Sequence, residues 1–511
     1  MRKVKQSLKS ILHSKKLLWC VAVAIIVILL IAAGCYQYQK YQERLAHEAY
    51  LQYHATYLIL DGTEYRRDST KLDLSGTSIV EFEKLKELTK LQQLDLRGTG
   101  ITPSQYADLQ AALPDCTILW SVPFQNGFCD NNIQELVLTQ LSENDLNDLK
   151  HFPLLRSVNA VNCTDYDALM QLAELYPDLF LSYRVTIGGL DYANDTDEMT
   201  VTDPDIQELR EKLPLLPSVH TVNLQGALPD NSEIVSLKEQ FPEIIFVWNF
   251  DLLGVPVSSV DTFVDLSNIY MKNTDELESM LPCFYNLEKV DMINCGLKYD
   301  VLDALNLRYR ETKFVWKVRV SGVWVRTDAK FFMPYKHGIK RIGNLWELRY
   351  CHDMECIDLG HFGVYTFEFV EEMPKLRFLL LLDCYVSDLS SIAACTSLEF
   401  MELAQTPLYE YWLLTNLTNL NDLNISATPY NYNSGHCVGL NDITPLYQLT
   451  WLDRLWYTRN YLSTEQCDEI KSALPNTIVT LKTGGCTTNG WRYSPNYYEH
   501  RDILGMWYMT H

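Results

Sequence analysis

An α/β fold of stacked strand-and-helix repeats, preceded by one transmembrane helix, is predicted by three features of this 511-residue chain. Residues 17–34, LLWCVAVAIIVILLIAAG, form an unbroken apolar run. Short L-x-L strands recur towards both ends of the remainder at a spacing of 22 residues. A longer phrase, a proline followed by an aromatic strand and a glycine turn, returns through the middle about every 65 residues.

The apolar run is about the shortest that crosses a hydrocarbon core as a helix. Arg2, Lys3, Lys5, Lys9, Lys15 and Lys16 precede it without an acid, and only Lys40 and Arg44 follow closely. The positive-inside rule then keeps the amino terminus cytoplasmic. The expectation is a basic tail at 1–16, an uncleaved signal anchor at 17–34 and a polar, helix-forming stalk at 35–56. Everything beyond lies outside the cytoplasm, at the cell membrane. A cleaved signal peptide has a shorter apolar region. The alternative is acylation at Cys35, since the run ends AAGC, although Ala32 stands where a lipoprotein usually has leucine.

Formal net charge is −22, and six of the positive charges sit in the first sixteen residues. So acidic a body excludes nucleic acid as a partner, because phosphate affinity depends on Lys and Arg displacing counterions.

LDLSGTSI at 72–79 is answered by LDLRGTGI at 94–101. With Leu91, the second copy supplies Leu94, Leu96, Thr99 and Ile101, the L-x-x-L-x-L-x-x-(N/C/T)-x-L pattern of a leucine-rich repeat. Its leucines alternate as in a strand, and stacked copies bury an apolar face that one copy cannot bury alone. In the segment 331–483, Met354, Ile357 and Leu359 are followed by Leu376, Leu379 and Leu381, by Leu398, Met401 and Leu403, and by Leu420, Leu423 and Ile425. Leu452, Leu455 and Tyr457 come 32 residues on, after the insertion YNYNSGHCVG. Short helical phrases, VSDLSSIAACTSL among them, complete each turn.

These copies resemble the bacterial leucine-rich-repeat surface proteins of the internalin type, whose units read D-L-S-x-(I/L)-A-x-(L/C)-T-x-L. The match runs through Asp388–Leu398 and again Asn416–Leu420, about 100 residues in all. The resemblance implies the fold, a leucine-rich-repeat solenoid, and names no ligand.

Residues 57–330 follow the longer period. LPDCTILWSVPFQNG at 113–127 returns as YPDLFLSYRVTIGG, FPEIIFVWNFDLLG and, without its proline, YRETKFVWKVRVSG. Each composite unit of about 65 residues is expected to hold a β-hairpin turning at Gly62, Gly127, Gly189, Gly254 or Gly322. One repeat strand per unit then follows, beginning at Leu155, Val219 and Leu287. Trp120, Tyr183, Trp248 and Trp316 are expected to stack as a column. Cys116 and Cys129 flank one hairpin, and whether they form a disulfide stays open. Residues 484–511, rich in Tyr and Trp, read as a cap over the last repeat.

Chemistry is sparse. Cys163, Cys295 and Cys384 align with Thr99, Thr406 and Thr428 at a buried turn position and read as structural thiols. CHDMEC at 351–356 lacks zinc spacing, and Met354 already belongs to the repeat core, so no metal is expected there. No G-x-S-x-G, H-E-x-x-H or phosphate loop occurs, so neither an enzyme nor a cofactor is expected. What remains is a surface. Alternation points Asp358, Gly360, Leu380, Leu382, Glu402, Ala404, Asn424, Ser426, Trp456 and Thr458 outward from the strands. Of these Leu380, Leu382, Glu402, Asn424 and Trp456 are the candidate contact residues, with Tyr430, Tyr432 and His436 of the insertion at the rim. The expected partner is another protein at the cell surface, through adhesion or binding. The alternative is a structural or carbohydrate-binding envelope component, suggested by 31 tyrosines and 11 tryptophans. An envelope hydrolase comes third.

Overall fold

A computed structural model describes residues 2–439 and 442–506, without the side chains of residues 2–14 and 143. Most of the basic tail's charged side chains and the last five positions of the expected cap therefore lie outside the described residues. One helix, Arg2–Thr56, runs through the apolar segment and the expected stalk without a break. From Lys15 onward it is almost wholly exposed. It ends where Arg67 closes the first hairpin, its backbone N–H donating to the Thr56 carbonyl at 2.9 Å and its Nε to that of His54 at 2.7 Å.

The chain divides into two compact units, residues 1–199 with 207–220, and residues 200–206 with 221–511. In the first, Lys71–Asp73, Gln93–Leu96 and Thr117–Phe124 pair in parallel, as do Glu135–Val137, Ser157–Asn159 and Phe180–Ser182. In the second, Phe263–Asp265, Lys289–Asp291 and Lys313–Val315 form one parallel sheet. The larger sheet there has seven strands, from Phe331–Phe332 to Ile478–Thr480. Each strand is short because one turn contributes only a few residues before the backbone bends away.

The middle of the chain differs from the expectation of one repeat strand per hairpin. Each composite unit holds three parallel strands, the third of them inside the returning phrase, and that third strand runs directly into a hairpin or is followed at once by one, as Phe180–Ser182 is by Arg184–Ile187. The long period is thus three turns of the short one. Helix ends explain the recurring proline: Pro103–Ala112, Tyr166–Leu175 and Asn231–Gln240 each stop two residues before it. The residue preceding a proline disfavours the helical region, so the chain leaves as a strand.

Four hairpins turn through paired positive-φ residues that include the expected glycine, such as Leu253 at 56° and Gly254 at 88°. The fifth corrects the reading of Gly127. Phe124 pairs with Gly127, which opens the returning strand, and the left-handed turn residue is Gln125.

The four aromatic residues do not form a column. All are buried, yet among the described residues no ring contact joins Trp120 to Tyr183 or Trp248 to Trp316. Three turns at about 4.8 Å each separate successive members, about 14 Å, beyond the reach of ring contact. Each instead anchors the base of its own hairpin. The backbone N–H of Trp120 donates to Asn131 Oδ1 (3.0 Å), and Asn131 returns its own N–H to the Trp120 carbonyl (2.9 Å) and its amide to that of Ile118 (2.8 Å). Tyr183 with Asn194 and Trp248 with Ser259 repeat these bonds, and Trp316 with Thr327 keeps the first two. Cys116 and Cys129 are both free thiols: Cys116 is buried before the strand, and Cys129 lies opposite Val122.

Replacing Asn131 by Ala strands a buried N–H and carbonyl, an expected cost of about 1–3 kcal/mol. Amide exchange through residues 117–130 would accelerate accordingly, whereas the exposed neighbour Asn132→Ala leaves it within about 0.5 kcal/mol of wild type.

Candidate functional site

The seven-stranded sheet is the place where the expected contact residues meet. Its inward positions, Ile357, Leu379, Met401, Leu423 and Leu455, pair in register and are fully buried. After each strand a non-glycine residue takes positive φ: His361, Asp383, Gln405, Ala427 and Arg459. After Asp383, Gln405 and Ala427 the next position is the buried thiol or hydroxyl read from the sequence, Cys384, Thr406 and Thr428. Cys384 Sγ donates to the Leu359 carbonyl at 3.2 Å and Thr406 Oγ1 to that of Leu403 at 2.7 Å, so these side chains close the turns.

The outward positions are covered. Leu380, Leu382, Glu402 and Trp456 are no more than 5% exposed and Asn424 not at all. An open face at these five residues is therefore corrected. The cover over Leu380, Glu402, Asn424 and Trp456 is the carboxyl-terminal segment 484–506, which lies on the strand face and not only over the last repeat. Trp491 stacks on Phe400 at 4.2 Å and meets Trp456 edge-on at 4.9 Å. Leu504 joins Cys356, Phe378 and Leu380 in the same cluster. Around it Asn489 Nδ2 donates to Ser426 Oγ (2.9 Å), Asn424 Nδ2 to the Cys486 carbonyl (3.1 Å) and Thr458 Oγ1 to that of Gly485 (3.0 Å). Arg377 bridges Glu399 and Glu499 at 2.8 and 2.7 Å, and Lys336 donates to the Leu504 carbonyl.

Sequence reasoning missed Cys356, Phe378 and Phe400, which precede the inward residues and so face outward too. The signal was present: two phenylalanines at a position that an open sheet gives to polar side chains require a cover.

The buried acids respond to that cover. Burial, and then the nearby Asp358 charge, push Glu402 up to about 8 against the pull of Arg492 and of a 3.2 Å bond from Asn424. Burial also raises Asp358, which accepts the Gly360 N–H. His500, stacked on Phe400 and buried, is lowered to about 4 because its cation would be desolvated.

Around the rim Tyr430 and Tyr432 are half-buried and His436 is exposed, on the small hairpin Tyr430–Asn431 with His436–Cys437. Tyr432 donates to the Gln405 carbonyl at 2.9 Å and packs on Tyr385, which stacks on Tyr365. The CHDMEC residues do not converge. Cys351 and Cys356 are buried, and burial raises both thiols, while His352 lies between the Glu372 carbonyl and Asp303 at 2.7 Å each. Trp491 of the aromatic tail is buried and Tyr497 partly so, and among the described residues Tyr493 and Tyr498 are its exposed rings.

No protein-family model matches the chain, and no curated protein matches it. Solved leucine-rich-repeat structures do. An internalin (inlF) of Listeria monocytogenes is 13% identical over 83% of this chain and 91% of its own, with a TM-score of 0.24. Internalin C2 of the same species is 18% identical over 43% and 80%, at 0.24. A leucine-rich-repeat protein of Leptospira interrogans is 16% identical over 81% and 96%, at 0.23. Identities in this range bear on the fold alone, and the TM-scores support no overall superposition. The chain is thus similar to bacterial internalin-like leucine-rich-repeat proteins, in agreement with its own strand spacing.

Two outcomes test the cover. Trp491→Ala removes a fully buried ring, an expected loss of about 3–5 kcal/mol of docking free energy, read as rapid proteolysis after residue 483. The pH response has opposing parts. Covered Glu402 holds its proton more tightly than an exposed carboxylate, so docking weakens as pH rises from 4.5 to about 8. Covered His500 resists protonation, so docking weakens as pH falls from 6.5 to about 4. The slopes oppose each other where they overlap, and above 6.5 the Glu402 effect runs unopposed by His500. Proteolytic release of the tail should therefore accelerate between pH 6.5 and 8, and Glu402→Gln should flatten that rise.

Proposed function

We propose that this is a membrane-anchored, extracytoplasmic leucine-rich-repeat protein that works as a protein-binding or adhesion surface, with no bond broken. The observation that carries the reading is the state of its strand faces outside the covered sheet. Val137 and Phe180, on one parallel sheet, are 63% and 66% exposed. In the other unit Ile245 and Phe263 are 44% and 50% exposed, at the first register position of their strands. Large apolar side chains on an open face among polar neighbours mark interaction sites in soluble domains. Their alternation with Asn159, Ser157 and Lys289 gives such a face both apolar anchors and hydrogen-bonding groups.

Helix 17–34 supports the anchoring part of the proposal, being apolar, long enough to span and bare of contacts with the repeats. In this reading residues 1–16 stay in the cytoplasm, the helix continues as a stalk, and the repeats stand away from the bilayer. The covered residues Leu380, Leu382, Glu402, Asn424 and Trp456 contribute to binding only when the tail is displaced, while Tyr430, Tyr432 and His436 remain at the rim.

Two measurements test this. Membrane-impermeant amine labelling of intact cells should modify lysines beyond residue 56 and spare Lys3, Lys5 and Lys9; the reverse pattern would invert the topology. The soluble fragment from about residue 50 should retain a partner from envelope or secreted material. Phe180→Asp with Phe263→Asp should cut that retention about tenfold or more, as loss of central apolar anchors does. Retention unchanged by both would remove the proposed surface.

A further inference from the structure

Between the turns 340–345 and 361–366 of the second unit lies an open cleft of about 700 Å³. Its size falls in the range of roughly 300–1,000 Å³ typical of ligand sites. Lys340, Arg341, His361 and Tyr365 line it and are all exposed, so a ligand in solution reaches them directly.

The repeat spacing explains the opening. Leu345, Phe367 and Leu389 hold one buried position on successive turns, and Leu348, Val370 and Ile392 hold another, each a 22-residue step from the next. The same step back from Tyr365 falls on Gly343, which has no side chain to fill the space. On its other side Tyr365 is firmly backed. It stacks on Tyr385 with ring centroids 4.3 Å apart and planes 6° from parallel. Tyr385 rests on Gly363, where a Cβ would come within 3.1 Å of the ring, and packs on Tyr432 at 4.6 Å. One flat face of Tyr365, a residue 69% exposed, is thus held against a fixed column and presented to the cleft.

The facing loop is fixed as well. Ser321 Oγ accepts the Gly343 N–H at 2.6 Å and donates to the Arg341 carbonyl at 3.5 Å, and the Ser321 N–H donates to the Asn344 carbonyl at 2.9 Å. This loop carries two cations in a chain of net charge −22. Among the described residues neither Lys340 nor Arg341 has a side-chain hydrogen-bond or ion-pair partner, and no carboxylate lines the cleft. The neighbouring acid Asp383 is engaged by His361, 3.3 Å from its Nδ1. Charges left unpaired against so acidic a background favour an anionic ligand.

A rigid aromatic face beside fixed cations suits a ring that is apolar on its face and ionised at its edge. Phe362 extends the wall and packs on the exposed Tyr335 at 4.7 Å, giving room for more than one such ring. We propose that this cleft binds an acidic oligosaccharide, a short chain of uronic-acid sugars, with one sugar ring flat on Tyr365 and carboxylates accepting from Lys340 and Arg341. The site shares no residue with the apolar strand faces proposed above as a protein-binding surface.

The test uses the full chain in nanodiscs, with empty nanodiscs as reference, and tetragalacturonate as the probe in saturation-transfer NMR. Saturable binding is expected at low ionic strength, with the neutral maltotetraose weaker by about tenfold or more. Tyr365→Ala, which removes the ring face, and Lys340→Ala with Arg341→Ala, which removes the cations, should each weaken the probe about tenfold. All three side chains are exposed, so the fold tolerates these changes. No saturable binding to the wild type would overturn the proposal. So would equal affinity for maltotetraose, affinity unchanged in either variant, or binding of hexaglutamate or adenosine 5′-phosphate as tight as that of the probe.

Discussion

The constraint on which this structure depends is that no turn of the chain can bury its own apolar strand. Ile357 needs Leu379 beside it, Leu379 needs Met401, and each strand's N–H groups find their acceptors on the strand one turn away. A parallel ladder three residues wide is worthless singly and cooperative in stacks. The positive-φ residue that follows these strands, the buried Thr or Cys that closes several of the turns and the proline that ends several of the helices serve to return the chain to the same register.

That constraint applies to both faces. The inward face is apolar throughout, but the outward face changes character along the chain. Where it carries Lys71, Asp73 and Gln93 it stands open to water, and where it carries Phe378, Leu380 and Phe400 it does not. The tail supplies the missing layer, with Trp491 as the central plug and a ring of hydrogen bonds to Asn424, Ser426 and Thr458. Burying Glu402 and Asp358 beneath it costs free energy, met by keeping the proton on Glu402 and by the nearby Arg492. A cover whose contacts contain titrating groups docks with a strength that depends on pH.

The hairpins show how a repeat acquires individuality. Four of them share one lock at the base, yet where the residue there is a tryptophan its indole is bonded to Asn231 in one unit, stacked on Tyr106 in another, and packed against Tyr350 in a third.

The sequence by itself determined the stacked-repeat fold, the apolar helix and the strands of the 22-residue copies, because these follow from periodicity, while it missed the strands Glu135–Val137, Glu198–Thr202 and Phe263–Asp265 of the middle. It also determined that the turn cysteines are structural, since their position within the repeat implies burial. The tertiary structure decided what covers what. That Trp456 and Leu380 are hidden, that Trp120 and Tyr183 never touch, and that Cys116 and Cys129 stay apart are outcomes of contacts between segments distant in sequence. Residue 491 meeting residue 400 has no period to reveal it.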